Sequence, residues 1–308
     1  MIRILKSVSF VALGAFLISA SFAQTQDDNS RQIVLDSFTN ARPPKTATSS
    51  AGGNRPRPPA IRKRPTYRRA AGTPSVASRP SANEQLGITV WRLRPSKEND
   101  SGARLLVMEN SQSSQWTPER IEVDTPLAVG DRVRISVESP RAGYLYVVDR
   151  EQYGDGSFGD PYLIFPTSRT RGGDNRVRPG KLIDIPAQED SPSFFTLVPS
   201  PGRSDTVAEV LSFIVTPAPL GNLSISDKPL KLSPAEVAKW EQTWSSEVER
   251  FEMNDGAGRA WTNEEKAAGA MAGSRLLNQE EPAPQTVYRI GTRGKSTILV
   301  TVPLRYGR

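Results

Sequence analysis

Short runs of apolar residues, alternating or continuous, dominate the chain between residues 86 and 215. The clearest alternation lies at 131–138, where Val133, Ile135 and Val137 share one side of an extended strand and polar residues occupy the other. The same criteria predict strands at 88–93, 104–108, 144–148, 162–165, 181–185, 194–198 and 209–215. Turn residues separate these strands, and we therefore predict a mainly β protein, either an antiparallel β-sandwich or a related barrel.

The strands predicted at 144–148 and 162–165 lack alternation. Strands of this kind are typical of a sheet interior in which both faces are covered. We expect the two to pair antiparallel around the Gly- and Asp-rich excursion at 149–161.

The period changes near residue 233, where Ser233-Pro-Ala-Glu236 has the spacing of a capped helix N-terminus. Apolar residues then recur at helical spacing: Val237, Trp240, Trp244, Val248 and Phe251. We predict two accessory helices in the C-terminal third, at about 233–252 and 262–277. The tryptophans are interpreted as core rather than as a ligand platform, because burial against a sheet requires this spacing. Strands at 285–290 and 296–302 are predicted to form a closing hairpin.

Residues 1–23 have the pattern of a secretory signal peptide. Arg3 and Lys6 precede an apolar run, and small residues, Ser21 and Ala23, occupy the −3 and −1 positions of a cleavage site. The run is shorter than the ~20 apolar residues that span a bilayer, and no later stretch reaches that length. We therefore expect cleavage after Ala23, a periplasmic or extracellular location, and a mature chain that does not span the membrane.

Charge is distributed unevenly along the chain. Residues 37–83 contain ten basic and no acidic residues, whereas residues 84–308 contain 27 Lys/Arg and 30 Asp/Glu, a net charge of −3. Residues 24–84 are also poor in large apolar side chains, which predicts a disordered, basic, Pro- and Arg-rich arm before a β-rich globular domain at 85–308.

The arm is interpreted either as a contact for a polyanion or as a solvated linker. Export favours an envelope protein, an anionic envelope polymer or a lipid surface as the partner over nucleic acid. The predicted polyanion-binding residues are Arg55, Arg57, Arg62, Lys63, Arg64, Arg68 and Arg69.

The chain contains neither cysteine nor histidine. It therefore has no disulfide, no His or Cys metal ligand, no His-based catalytic triad and no Cys nucleophile. Carboxylates, hydroxyls and lysines are the groups that remain for any catalysis.

Several short motifs occur in a fixed order in the β-rich region. They are Gly143-Tyr-Leu-Tyr-Val-Val148, Asp155-Gly156, Leu163-Ile-Phe-Pro166, Asp174-Asn175, Pro179-Gly180 and Ile185-Pro186. Their order and spacing resemble the bacterial family catalogued as domain of unknown function number 4384, over about residues 125–220. The resemblance implies a β-rich extracytoplasmic module with an accessory or recognition role, and it transfers no catalytic residue.

The excursion at 149–161 concentrates carboxylates and is a candidate Ca²⁺ site, since Ca²⁺ prefers several oxygen ligands on a turn-rich loop. The candidate ligands are Asp149, Glu151, Asp155 and Asp160. The alternative is that Asp and Gly only supply turn geometry. No other cofactor is predicted.

A second polar loop surrounds Asp174-Asn175 and carries four arginines, Arg169, Arg171, Arg176 and Arg178. It is interpreted either as an anion-binding loop or as a turn in which Asp and Asn cap their own backbone.

We favour an exported, non-enzymatic interaction or accessory module of the bacterial cell envelope, with the β body as recognition surface and the arm as electrostatic tether. The alternative is a secreted carboxylate-dependent hydrolase, which needs two Asp or Glu about 5–10 Å apart. A cleft that holds two partly buried carboxylates with perturbed pKa would distinguish the hydrolase from the module.

Overall fold

Two antiparallel sheets pack face to face in the computed structural model, which describes residues 36–45, 65–72, 83–109, 112–221, 223–270, 275–291 and 296–307. The first sheet contains β1 (Tyr67–Arg69), β2 (Asn83–Pro95), β3 (Leu105–Glu109), β4 (Gln112–Ile121), β5 (Arg132–Glu138), β9 (Leu182–Ile185), β10 (Phe195–Thr196), β13 (Glu247–Met253) and β14 (Thr286–Gly291). The second contains β6 (Gly143–Tyr153), β7 (Tyr162–Phe165), β8 (Arg176–Val177), β11 (Thr206–Thr216), β12 (Leu230–Lys231) and β15 (Ile298–Arg305). The helices within the described residues are α1 (36–40), α2 (Pro234–Trp244) and α3 (Asn263–Gly269). The prediction of a mainly β sandwich is confirmed.

The core lies between the two sheets and follows the alternation along β5. Val133, Ile135 and Val137 of β5 and Leu145 and Val147 of β6 are all fully buried in one apolar cluster. Burying a side chain of this size contributes about 1.5–3 kcal/mol. This cluster is therefore the main source of cohesion between the sheets.

The polar face of β5 is buried as well, which the sequence did not indicate. Ser136 accepts a hydrogen bond from the indole N–H of Trp91 (2.8 Å) and donates one to Asp184 (2.6 Å). Arg134 donates to the same carboxylate at 3.2 Å. All four side chains are at most 3% exposed, and their mutual hydrogen bonds offset the cost of removing them from water.

Both faces of β6 are covered, as predicted. Leu145 and Val147 enter the core between the sheets, whereas Tyr146 and Val148 pack on the opposite face beneath Val237 of α2. The helical residues Trp240 and Trp244 are partly buried against this second cluster and stack on each other, with ring centroids 5.7 Å apart.

The predicted pairing of β6 with β7 is confirmed, with Val147 opposite Phe165. The excursion is shorter than predicted, because β6 continues to Tyr153. Residues 149–153 stay extended since they pair with β11, where Asp149 lies opposite Leu211.

Both predicted C-terminal helices end early. α2 ends at Trp244, and the residues predicted to continue it, including Val248 and Phe251, form strand β13. Phe251 packs with Val287 of β14 in a separate apolar cluster. The backbone of β13 forms hydrogen bonds with β1 on one side and with β14 on the other. α3 ends at Gly269, and residues 275–277 are not helical.

The predicted closing hairpin is wrong. β14 pairs with β13 and β2 in the first sheet, whereas β15 pairs with β11 in the second. Each strand has an apolar pattern that suits either arrangement, so the local sequence does not distinguish a hairpin from a crossing between sheets.

The structure differs from the predicted disordered arm at two segments. Phe38 of α1 is fully buried in a cluster with Tyr67 of β1 and Val287, and β1 extends the first sheet by pairing with β13. These few apolar residues are buried because the body supplies the rest of the cluster, which composition alone cannot reveal. The remainder of the arm and the predicted signal peptide lie outside the described residues.

No helix among the described residues combines the length and the apolar character needed to cross a membrane.

Candidate functional site

The hairpin of β6 and β7 ends in a tight turn held by Asp155. Its Oδ1 accepts hydrogen bonds from the backbone N–H (2.9 Å) and the hydroxyl (2.6 Å) of Ser157. Gly156 has φ +84°, a left-handed conformation that residues with a Cβ rarely adopt. The Asp155-Gly156 pair therefore stabilises the turn.

Two aromatic side chains extend from this turn, and each is covered by an arginine. The Arg203 guanidinium carbon lies 3.7 Å from the centre of the Tyr153 ring, and that of Arg150 lies 4.4 Å from the centre of the Phe158 ring. Asp205 holds Arg203 in place through two hydrogen bonds of 2.8 and 2.6 Å. Each cation–π contact contributes about 0.5–2 kcal/mol and fixes the ring orientation.

A groove of about 380 Å³ surrounds these two pairs. Its lining comprises the two arginines, the two aromatic rings, two prolines, Gly159 and Asp160. Phe158 is 44% exposed, so its ring is accessible from solvent. The groove thus combines apolar surface with fixed charges, as ligand sites do. We call it the hairpin groove.

Three contacts join the hairpin groove to neighbouring parts of the structure. Arg150 donates to Glu241 of α2, and Lys231 of β12 pairs with Asp160 at 2.5 Å. Gly159 lies under the Tyr153 hydroxyl, where a Cβ would approach the oxygen to 2.7 Å. The groove therefore depends on residues from the hairpin, from β12 and from α2 together.

Three carboxylates lie close together at the same end of the sandwich. Asp149 and Glu151 lie two positions apart on β6, and Glu209 of β11 is directly opposite Glu151. The Tyr306 hydroxyl donates a hydrogen bond to Glu209 at 2.7 Å. Burial, followed by the like charges of Glu209 and Glu151, raises the pKa of Asp149 to about 8. Burial also raises the pKa of Glu209.

Asp149 points toward the inter-sheet core, since it follows Val147 by two positions on the strand. Its Oδ1 is enclosed, and no donor among the described residues reaches it. These carboxylates do not line the hairpin groove, whose single carboxylate, Asp160, is ion-paired. The arrangement expected of a carboxylate-dependent hydrolase is therefore not found in this groove.

The four candidate calcium ligands are not brought together. Within the described residues, no group of three or more acidic side chains has the geometry to hold a metal ion. Asp155 caps the turn, Asp160 pairs with Lys231, and Glu151 accepts hydrogen bonds from Tyr153 and from the backbone of Ser200.

The predicted polyanion contacts are divided between described and undescribed residues. Arg68 pairs with Glu122 at 2.5 Å and Arg69 with Glu249 at 3.0 Å, so both already contact carboxylates of the body. The other five lie outside the described residues: Arg55, Arg57, Arg62, Lys63 and Arg64.

The sequence prediction missed the aromatic and arginine residues of the groove. Tyr153 and Phe158 lie in the predicted excursion, but only its carboxylates fit a known pattern of metal ligands. Their signal was that a Gly- and Asp-rich turn has no structural need for two aromatic rings. Arg203 and Pro234 carry no local signal, because only the fold brings them to the hairpin.

Fold and site together define a two-sheet β-sandwich protein with a preformed surface groove. Residues 126–212, from before β5 into β11, match the family model described as "Domain of unknown function (DUF4384)", which confirms the family resemblance over this segment. No curated protein and no solved structure matches the chain.

The motifs that carry the family resemblance have structural roles. Gly143 allows close approach to the carbonyl of Thr216, which a Cβ would meet at 2.6 Å. The backbone carbonyl of Asn175 accepts a hydrogen bond from the N–H of Leu145 at 2.8 Å. The side-chain amide of Asn175 donates a hydrogen bond to the carbonyl of Leu145 at 2.9 Å. Gly180 has φ +76°. The motifs thus specify the sandwich, and the lining of the hairpin groove comes from residues outside the motifs.

Proposed function

We propose that this protein is an exported interaction module of the cell envelope and that the hairpin groove is its recognition site. The supporting observation is the pair of aromatic rings, Tyr153 and Phe158, held at the surface under Arg203 and Arg150. Aromatic and arginine side chains that reach the surface together are typical of the residues that dominate binding energy at interfaces. The contacts that hold these side chains lower the entropy cost of binding.

An interaction role is favoured over hydrolysis by the placement of the carboxylates. A hydrolase needs two carboxylates that reach one substrate, one of them with a raised pKa. Asp149 has the raised pKa, but its side chain is not part of the groove lining and its Oδ1 is enclosed. Asp160 lines the groove and is paired with Lys231.

The partner is an envelope protein or an anionic envelope polymer. The groove combines aromatic rings with Pro161 and Pro234, and aromatic-lined grooves are used to bind extended chains. The basic arm then adds a second, electrostatic contact, which raises the effective concentration of the groove at its target.

The test is a pull-down from envelope extract with the purified mature protein and two groove variants, Phe158→Ala and Tyr153→Ala. We expect each variant to lose most of the captured partner, because truncation of an aromatic anchor commonly weakens binding by tenfold or more. Val198→Ala is the matched control, since Val198 is 60% exposed and lies outside the groove lining. Equal capture by the groove variants and the control would refute the groove as the recognition site.

The tether is tested separately by replacing Arg55, Arg57, Arg62, Lys63 and Arg64 with serine. Deletion of the whole arm is unsuitable, because Phe38 and Tyr67 are part of the folded body. We expect envelope association to weaken at low ionic strength and to converge with the wild type as salt screens the charges. Association that is unchanged at low salt would exclude an electrostatic tether and leave the linker interpretation.

A further inference from the structure

The loop between β7 and β8 contains a partly buried arginine that has no partner. Arg171 makes no side-chain hydrogen bond or ion pair in the described part of the chain, and its Nε and Nη1 are enclosed. A guanidinium removed from water without an acceptor is costly. The backbone at Arg171 is also strained, with φ +54° at a residue that has a Cβ.

Further cations surround Arg171. Lys181 donates to Asp174 Oδ2 at 3.1 Å, and Arg176 donates to Asp174 Oδ1 at 2.8 Å. Burial, together with the like charges of Arg171 and Arg176, lowers the pKa of Lys181, although Asp174 opposes this shift. Arg176 and Lys181 therefore share the Asp174 carboxylate while Arg171 lies near Lys181 without a carboxylate of its own, so the cluster has an excess of two positive charges.

We propose that Arg171 and Lys181 form a binding site for a phosphate group, with Arg176 at its rim. A phosphate carries a charge of about −1.5 to −2 near pH 7 and has three strong acceptor oxygens, which matches the excess charge. Guanidinium and ammonium groups both bind phosphate, the first through paired donors and the second as a point charge.

The site is open enough for a ligand. Arg176 is exposed and Gly172, the next residue after Arg171, is exposed as well. The Nη2 of Arg171 is not among the enclosed atoms, and it provides the first contact for an incoming anion. The turn keeps this geometry through hydrogen bonds from Gly173 to Thr170 and from Asp174 to Arg171, each 3.1 Å. The site is separate from the hairpin groove and does not depend on it.

The test measures the melting temperature of the full chain in sodium phosphate, sodium glycerol phosphate and sodium acetate at constant ionic strength. Phosphate also stabilises proteins through exclusion from their surface, so the informative quantity is the difference from a variant without the site. We expect phosphate to raise the melting temperature of the wild type more than that of Arg171→Gln or Lys181→Gln, with a saturable dependence on concentration. Arg178→Gln, which removes an exposed arginine of the same loop, is expected to respond as the wild type does.

Arg171→Gly separates loss of the site from loss of the fold. Glycine relieves the left-handed strain, so this variant is expected to melt at a higher temperature than the wild type without phosphate and to lose the specific response. A response to glycerol phosphate as well as to phosphate would identify phosphate esters as ligands, and a response to phosphate alone would restrict the site to the free ion. An unchanged phosphate response in Arg171→Gly and Lys181→Gln, or an equal response to acetate, would overturn the proposal.

Discussion

Arg42 and Glu138 form a buried, two-pronged ion pair: Nε donates to Oε1 and Nη2 to Oε2, each at 2.7 Å, and each side chain is 1% exposed. Arg42 belongs to the predicted arm, whereas Glu138 ends β5 inside the DUF4384 domain. The guanidinium also donates to backbone carbonyls at Asn278, Glu281 and Pro282. One side chain thus joins an N-terminal segment, the family domain and the C-terminal region.

We predict that Arg42→Ala lowers the free energy of unfolding by about 3–5 kcal/mol, because it leaves the Glu138 carboxylate buried without a partner. Urea denaturation at pH 7 measures the loss. Lys45→Ala is the matched control in the same segment, since its pair with Glu280 is exposed and is worth at most about 1 kcal/mol. Similar losses in the two variants would show that Arg42 is not buried as described.

We predict that Asp149 makes the fold less stable as the pH rises. Its pKa is about 8 in the folded state, above the ordinary value for aspartate, so the folded state binds a proton that the unfolded state has released. The contribution of Asp149 to the free energy of unfolding is therefore greatest below about pH 4. It falls between about pH 4 and 8, by at most about 1.4 kcal/mol per pH unit.

Asp149→Asn tests this directly, because asparagine is isosteric and does not ionise. We expect the stability of the variant relative to the wild type to increase steadily as the pH rises from 5 to 8, as measured by urea denaturation across that range. Asp155→Asn is the control, since the pKa of Asp155 is lowered and its ionisation is complete over the same range. A variant that loses stability equally at every pH would contradict the predicted linkage.

We predict that Gly180→Ala destabilises the fold more than Gly202→Ala. Both glycines have positive φ, +76° and +98°, so both substitutions introduce backbone strain of about 1 kcal/mol or more. A Cβ at Gly180 would also lie 2.4 Å from the carbonyl oxygen of Leu277, whereas the space at Gly202 is open. A larger fall in melting temperature for Gly180→Ala would therefore report the steric contact, and equal losses would show that the loop at Leu277 moves aside.

The strands and helices that could be predicted from the sequence are those whose apolar spacing fits only one type of secondary structure. The alternation at Val133, Ile135 and Val137 requires an extended strand, and the spacing of Val237, Trp240 and Trp244 requires a helix. β4 was missed because Gln112-Ser-Ser-Gln115 is polar, and it is a strand only because β2 and β3 lie on either side of it. β13 was missed because Val248 and Phe251 also fit a helical period.

The candidate site was found in part, for a similar reason. The excursion at 149–161 does form the end of a groove, but the residues that could be recognised, Asp155 and Asp160, hold a turn and an ion pair. Arg203 and Pro234 reach the groove through tertiary folding, and no local pattern marks them. The basic loop at 169–178 was recognised, whereas the missing partner of Arg171 is visible only in three dimensions.

The family domain does not form a closed unit in this chain. Its strands are shared between the two sheets, and its β5 and β11 pair on one edge with β2 and β15, which lie outside the matched residues. A fragment of residues 126–212 alone would expose two unpaired strand edges and half of an apolar core to water. Exposed strand edges of this kind promote edge-to-edge aggregation. The flanking strands therefore complete the sheets and the core of this segment, and any transfer of the segment between proteins has to carry them or replace them.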